Sequence, residues 1–494
     1  MKKYIAEMLT VVLLMSLTAG CGASGNNEEA AETESTETVA VESTEADSGS
    51  TQEDAATEEK VFNIYSIGED FRNRVQDFYP EYQVTGDDSG LIGDVRVQWH
   101  VYSDPLEYRE VLDERLSSQA DPETGAAIEG IDPDEKIDLF VADQDFLRDY
   151  VESGWSMDVV GGVGLLKEEL ADQFLYTQQM ATDSEGVLKA VSWQATPGVF
   201  AYRRSIARKV LGTDDPEKVQ EAVSDWETFA ETAEAVKEAG YYMLSGYGDA
   251  YQVYADNVTS AWVEDGALNI DPHLEEWAVQ TREFVENGYT HGTEQWSDEW
   301  RADHTGDGEV FGFFYSSWGI HYTLLSKAEG ETDSEEDDGG AESATGDYAV
   351  CRGPEPSHYG GQWIIAAAGS DDTEMARSIM RTLTCDPEVM KKITTDIREF
   401  TNTVSGMTEL AGSDYKAEVL GGQNPIPVYV ESAKLMSKTH TTVYDDDLDT
   451  GFQVTMQDYF DGKVSEIDAL ESFRKVALSR YEELLDTAGD EEEE

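Results

Sequence analysis

GVLKAVSWQATPGVFAYRRSIARKV, residues 186–210, and SDWETFAETAEAVKEAG, residues 224–240, together form the stretch on which the fold turns. The first part reads as two extended runs, LKAVSW and GVFAYR. Between them stand Thr196, Pro197 and Gly198, strong turn and breaker residues. The second part reads as a helix. Ser224 is placed to cap it, Glu227 three residues on completes a capping box, and Trp226, Phe229, Ala230, Ala233 and Val236 recur at helical spacing before Gly240 stops it. Two extended runs followed by a capped helix are a common unit, so the flanks decide what it belongs to.

On its N-terminal side strands and helices alternate. Val61–Tyr65 is a short strand, followed after Ser66-Ile67-Gly68-Glu69 by a helix from Asp70 to Tyr79. Val95–Val101 alternates as a second strand. Asp104-Pro105-Leu106-Glu107 opens a helix with a capping acid and a first-turn proline. Ile137–Ala142 is a third strand, and Phe146, Leu147, Tyr150 and Val151 mark a helix that stops at Gly154. The alternation predicts an α/β protein. On the C-terminal side lie an aromatic-rich region from Tyr241 to Trp318 and an acidic, Gly-bearing run from Glu329 to Asp347 that reads as an exposed loop. A strand at Tyr348–Cys351, the Gly360-Gly361-Gln362-Trp363 turn into an apolar strand, and three further helices complete the chain, whose acidic last residues are expected to fray.

Lys2 and Lys3 precede an apolar run from Met8 to Leu17 that ends in Thr18-Ala19-Gly20-Cys21. A run of that length is an export signal, because spanning a bilayer takes about 20 apolar residues. Small residues before Cys21 resemble a lipobox, with Cys21 lipidated as the mature N-terminus. Thr18 occupies its usual branched position and Leu17 lies one place early, so ordinary cleavage near Ala19 is the alternative. Residues 21–60 are almost wholly Glu, Asp, Ser, Thr, Ala and Gly without an aromatic, too apolar-poor to offset ordering entropy, and are expected to be a disordered tether.

More than 400 residues remain, enough for two domains or lobes with a large core. The net charge of −70, from 34 basic and 104 acidic residues, excludes nucleic acid as a partner, since phosphate contacts need a basic face. With Cys21 assigned to lipid, Cys351 and Cys385 are left either to pair or to remain buried thiols. Enzyme signatures are absent: no H-E-x-x-H, no Cys/His zinc spacing, no G-x-S-x-G elbow and no phosphate-cradling Gly-Lys-Ser/Thr. No cofactor is expected. Asp303–Glu309 and Tyr444–Asp449 are acidic enough for calcium but match no twelve-residue loop. The informative excess is aromatic. A sugar site pairs flat Trp or Tyr faces, which meet the apolar C–H face of the ring, with Asp, Asn, Gln and Glu that bond its hydroxyls. Most of the ten Trp are nonetheless expected in the core.

Several separated stretches resemble, in order, the family 1 extracellular solute-binding proteins of bacterial ABC importers, carbohydrate type. They are the lipobox-like leader, the acidic spacer, the opening strand and helix, the 186–240 stretch with its Asp225-Trp226-Glu227-Thr228-Phe229 helix start, the strand Phe311–Trp318 and Gly360-Gly361-Gln362-Trp363. The resemblance implies a two-lobe periplasmic-binding-protein-like fold of type II, each lobe a mixed sheet flanked by helices, joined by a multi-segment hinge. Residues 61–193 and 361–400 would form lobe 1, and 194–360 and 401–494 lobe 2. It implies a monomer, anchored to the membrane through Cys21, that passes a carbohydrate to ABC transporter permease subunits. Open α/β sheets place ligands beyond the carboxyl ends of their strands. That rule selects Glu69, Asp143 and Trp193, and from the second lobe and the return Trp318, Trp363 and Asn402, with Tyr247, Asp249 and Trp296 in second rank. The tryptophans would stack on sugar rings, and Glu69, Asp143 and Asn402 would bond hydroxyls. Each choice has a structural alternative: Trp193 packing the hinge, Trp363 in the core beneath the double glycine, Glu69 capping its own helix. The rival functions are a surface-anchored glycan hydrolase or lyase, an adhesion module, or a binder of a non-sugar polar solute.

Overall fold

The computed structural model describes residues 60–328 and 343–486. The expected signal, tether and Cys21 lipid site lie outside the described residues, as do most of the acidic run after Glu329 and the C-terminal acids. Residues 61–494 cluster as one unit.

The first lobe starts with strand β1, Val61–Ile67, whose residues Phe62–Ile67 are all buried. Burial on both faces is what a central parallel strand requires. Helix α1, Asp70–Phe78, leads to the hairpin of β2, Tyr82–Gly86, and β3, Ser89–Ile92, and then to β4, Val95–Tyr102. Asp104 accepts the Leu106 and Glu107 N–H groups at 2.8 and 3.0 Å, with Pro105 in the first turn, and so opens helix α2, Pro105–Gln119. Strand β5, Ile137–Asp143, runs directly into helix α3, Gln144–Val151. β1 lies between β4 and β5, parallel to both.

The LKAVSW run forms no sheet strand. It crosses between two sheets and makes single bridges only, Leu188 to Thr182, Val191 to Ile364 and, just beyond, Gln194 to Thr401. GVFAYR is β6, Gly198–Arg203, buried throughout. The next helix corrects the expected cap. α4, Trp226–Glu238, is capped by Asp225 and not Ser224: the Asp225 carboxylate accepts Thr228 N–H at 2.8 Å, and the Thr228 hydroxyl receives Asp225 N–H at 3.2 Å. The box is reciprocal with threonine where glutamate was expected, so the helix starts one residue later. Strand β7, Leu244–Gly246, helix α5, Pro272–Asn287, β8, Thr290–Thr293, β9, Gly312–Ser316, and β10, Tyr348–Cys351, follow, and their strands form two small sheets. β6 is flanked antiparallel by β9 and β10, β7 and β8 pair in parallel, and a parallel bridge from Tyr242 to Val310 links the two groups.

The chain then returns. β11, Gln362–Ala366, joins the first sheet antiparallel to β5, giving the order β11-β5-β1-β4-β3-β2. Helices α6, Thr373–Cys385, and α7, Pro387–Ile397, pack on this lobe against α1. α8, Val404–Ala411, touches α7 and also α9, Ile426–Leu435, which packs on β6. α10, Asp445–Phe460, and α11, Glu466–Arg480, close the second lobe, α10 against α5. Cys351 and Cys385 are both free thiols, one on β10 and the other ending α6.

Three crossing segments lie side by side. Ala195 N–H donates to Phe400 O at 3.1 Å and Asn402 N–H to Trp193 O at 2.9 Å, while Tyr359 N–H donates to Thr196 O at 3.2 Å on the other flank. The first crossing is thus the middle strand of a narrow ribbon between the lobes. No described helix is long and apolar enough to cross a membrane.

Candidate functional site

The strand-end rule leads to one place. Gln362, opening β11, sits opposite Asp143, which ends β5. Its Nε2 donates to Asp143 Oδ1 at 2.8 Å and to Ile67 O, at the end of β1, at 3.3 Å. From the second lobe, β9 ends at Ser316 and delivers Trp318, whose Nε1 donates to Tyr359 O at 3.0 Å. The Trp318 and Tyr359 rings are 6.3 Å apart and inclined by only 29°, and Tyr359 is 46% exposed. Gly360, at φ +70°, makes this possible: a Cβ there would stand 3.2 Å from Trp318 Nε1.

Carboxylates from both lobes act electrostatically on the Tyr359 hydroxyl of this pair. Asp145, in the first turn of α3, is exposed to water yet enclosed by protein, as a residue in a crevice is. Asp446, in the first turn of α10, comes from the other lobe. Burial, then the charge of Asp145, pushes Asp446 up to about 7. Burial likewise raises Asp143 to about 7, against the Gln362 hydrogen bond that favours its ionised form, with Asp145 and Asp70 adding to the rise. The Tyr359 hydroxyl is raised to about 12 by burial and then by Asp145 and Asp446 together. Carboxylates of α3 and α10 therefore both act on Tyr359. Tyr322 is 54% exposed, and burial, then Glu399, raises its hydroxyl, with Arg74 of α1 opposing the rise.

The expected residues separate into two groups. Asp143 and Trp318 stand at the crevice. Glu69 is exposed at the N-cap position of α1 but makes no capping bond; it pairs with Arg72 at 2.7 Å. Trp193, Trp363 and Asn402 are corrected, because the structure buries them with their polar atoms satisfied. Trp193 is fully buried, stacked 5.4 Å from Phe71, with Nε1 on Glu399 at 3.2 Å. Trp363 donates to Thr177 O at 3.0 Å beneath the double glycine. Asn402 accepts Phe174 N–H and donates to Thr177 Oγ1 and Ser192 O, joining the first and third crossings. No ring face or amide remains open to a solute. Tyr247 packs edge-on against Phe460, and Asp249 accepts the Ser245 and Gly246 N–H groups at 2.9 Å, closing its own turn. Trp296 is half-buried beside Trp300 at 4.9 Å. Asp303 bonds Ser245 and His291, and Asp449 bonds Tyr251 and Trp262; among the described residues no cluster is arranged to hold a metal ion.

Asp145, Gln362, Tyr359 and Asp446 were missed as site residues from the sequence, although all four lie in or beside stretches that drew attention: Asp145 follows the β5 strand end by two residues, Tyr359 and Gln362 flank Gly360-Gly361, and Asp446 lies in the acidic Tyr444–Asp449 run. Their partners are distant in the chain, as Asp143 is from Gln362 and Trp318 from Tyr359, which no local pattern records. A separate concavity of about 490 Å³, lined by Glu152, Asp158, Asp183 and Lys189, opens by Ala368, beyond the opposite end of β11.

Two mixed-sheet lobes joined by three adjacent crossings, with aromatic and carboxylate groups converging at the strand ends, define a solute-binding protein of the two-lobe class. Residues 115–419 match the family model described as bacterial extracellular solute-binding protein, and the chain belongs to that family. Solved structures carry the same fold. One titled extracellular solute-binding protein family 1 is 14% identical with a TM-score of 0.68, covering 85% of this chain and 98% of its own. The sugar-binding protein MalE of Xanthomonas citri is 12% identical, TM-score 0.62, at 86% and 98% coverage. The galacto-N-biose-/lacto-N-biose I-binding protein of a Bifidobacterium longum ABC transporter, in complex with lacto-N-biose, is 14% identical, TM-score 0.58, at 86% and 99%. No curated protein sequence matches the chain.

Proposed function

We propose that the protein is the capture component of an ABC importer, that it binds a carbohydrate in the crevice between its lobes, and that it delivers it to membrane permease subunits. Trp318 and Tyr359 supply the apolar faces, and Asp143, Gln362 and Asp145 the directional partners for hydroxyls. The observation that carries the reading is the Trp318–Tyr359 pair, with Tyr359 exposed and its hydroxyl acted on by carboxylates of both lobes. Similar chains described in complex with tagatose, β-1,6-galactobiose and lacto-N-biose support it. In this reading lobe 1 comprises residues 61–193 and 361–400, and the remainder from 194 is lobe 2. Cys21 carries the lipid that holds the protein at the outer face of the membrane. Solute touching both lobes shifts the population towards the closed form. No covalent chemistry is involved, so the solute is recovered unchanged.

The test is a thermal-shift screen against mono-, di- and oligosaccharides, with amino acids and polyols as controls. A sugar at 100 times its dissociation constant adds about 2.7 kcal/mol and raises the midpoint. Trp318→Ala is expected to remove that rise while leaving the unliganded midpoint nearly unchanged. No rise with any sugar refutes the carbohydrate assignment.

A further inference from the structure

Lys438, in the segment between α9 and α10, bonds in two directions. Its main-chain N–H donates to Gln179 Oε1 at 2.8 Å, and its Nζ donates to Asp256 Oδ1 at 2.9 Å. Gln179 belongs to the short helix Leu175–Met180, in the stretch assigned above to lobe 1. Asp256 ends the short helix Tyr251–Ala255, which packs on α5 in lobe 2, with the Tyr251 ring edge-on to Trp277 at 4.7 Å. Beside the three covalent crossings, Lys438 thus adds a connection made of hydrogen bonds and charge.

Asp256 also holds the second crossing. Its carboxylate accepts His358 N–H at 2.6 Å and lies 3.0 Å from His358 Nδ1, and both side chains are fully shielded from water. The other ring nitrogen, Nε2, is shielded and has no partner among the described residues, so the hydrogen bonds that orient the ring come from Asp256 alone. His358 bridges Pro197 of the first crossing and directly precedes Tyr359, whose N–H donates to Thr196 O and whose carbonyl accepts Trp318 Nε1–H. From lobe 1 the helix Leu175–Met180 reaches every crossing. The Tyr176 hydroxyl accepts Thr196 N–H at 2.8 Å, its ring meets that of His358 edge-on at 5.4 Å, and Thr177 Oγ1 accepts from Asn402 at 2.9 Å. A Lys–Asp pair this deep adds little to stability, because desolvating both charges offsets most of their attraction and apolar residues of the same volume serve a core at least as well. What apolar residues lack is direction, and here the bonds run to two lobes and one crossing.

We propose that Lys438, Asp256 and His358 form a clasp across the hinge, which fixes the second crossing, and with it the crevice ring of Tyr359, against both lobes. Lys438 is a positioning residue: it acts through Asp256 and His358 and touches no solute. Holding Tyr359 in place before a solute arrives removes the ordering of that wall from the binding step. The clasp takes from the reading above only the division into lobes and acts whichever solute the crevice admits.

The experiment is amide hydrogen exchange of the solute-free full chain, read by mass spectrometry, in the wild type, K438M, Q179L, Q179E and the double variant K438M/Q179L. K438M removes the charge, whereas Q179L removes the acceptor in lobe 1 and leaves the Lys438–Asp256 pair whole. Each is expected to speed exchange at Ala195, Tyr359 and Asn402, the amides that join the crossings, by at least about tenfold, while β1 and β5 exchange at the wild-type rate. Q179E keeps an acceptor and should keep the slow exchange. The double variant should exchange no faster than the faster single variant, since both changes cut one connection. Crossing amides as slow as wild type in both single variants overturn the proposal. So does acceleration shared equally by β1 and β5, which makes the pair a general support of the fold, and so does Q179E exchanging as fast as Q179L. Where K438M does not fold, Q179L and Q179E decide the matter alone.

Discussion

Arg74 offers the sharpest test of how the crossings are anchored. It stands on α1 with its side chain 8% exposed, and its Nε meets Glu399, 5% exposed, at 2.6 Å. Glu399 precedes the third crossing and also accepts Trp193 Nε1–H and the Gln194 amide from the first. One carboxylate therefore ties a lobe-1 helix to two crossing segments. Arg74→Met keeps the stem and removes the charge, leaving a buried carboxylate with two neutral donors. Breaking one side of such a pair costs about 3–5 kcal/mol. A unit the size of residues 61–494 unfolds with an entropy of about 0.9 kcal/mol/K, at about 2.1 cal/mol/K per residue. The melting midpoint should therefore fall by about 3–5 °C, with a matching loss in urea. Adding Glu399→Gln removes the orphaned charge and should recover most of that loss, because the neutral amide still accepts from Trp193. A single variant that loses less than about 1 kcal/mol refutes the anchoring argument, as does a double variant no more stable than the single.

Two further outcomes are expected. Burial raises Asp138, Asp143, Asp249 and Asp449 to about 7 each, well above the unfolded value near 3.9. Over that interval the native state keeps protons that the unfolded chain releases, so stability is fully present below about pH 4 and falls as pH rises to about 7. Urea midpoints at pH 5 should exceed those at pH 8, and the reverse order refutes the sign. Trp193→Ala and Trp363→Ala should each cost about 3–5 kcal/mol, as large cavities in a packed core do; a variant that keeps its stability but loses solute affinity moves that ring back to the site.

Local signals served well wherever the cause was local. The Asp104-Pro105 helix start, the alternation in β4 and the apolar β1 follow from capping geometry and side-chain periodicity, which act over a few residues. Even there, the choice between Ser224 and Asp225 as cap turned on whether the Thr228 hydroxyl or the Glu227 carboxylate reaches back. The site was less legible. Trp193, Trp318 and Trp363 all follow or open extended segments, and only Trp318 stands at the crevice with an exposed partner ring. Its neighbour Tyr359 lies 41 positions away in the chain.

The sequence by itself determined the alternation of strand and helix, the acidic balance, the crossing stretch around Thr196-Pro197-Gly198 and the family. It could not decide which aromatic is wall and which is core. Burial is set by what a distant segment lays over a side chain, as Phe71 and Glu399 do for Trp193 and Thr177 for Trp363. Asp145 and Asp446 are first-turn acids of two helices about 300 positions apart in the chain. Only the tertiary structure brings both to act on the Tyr359 hydroxyl.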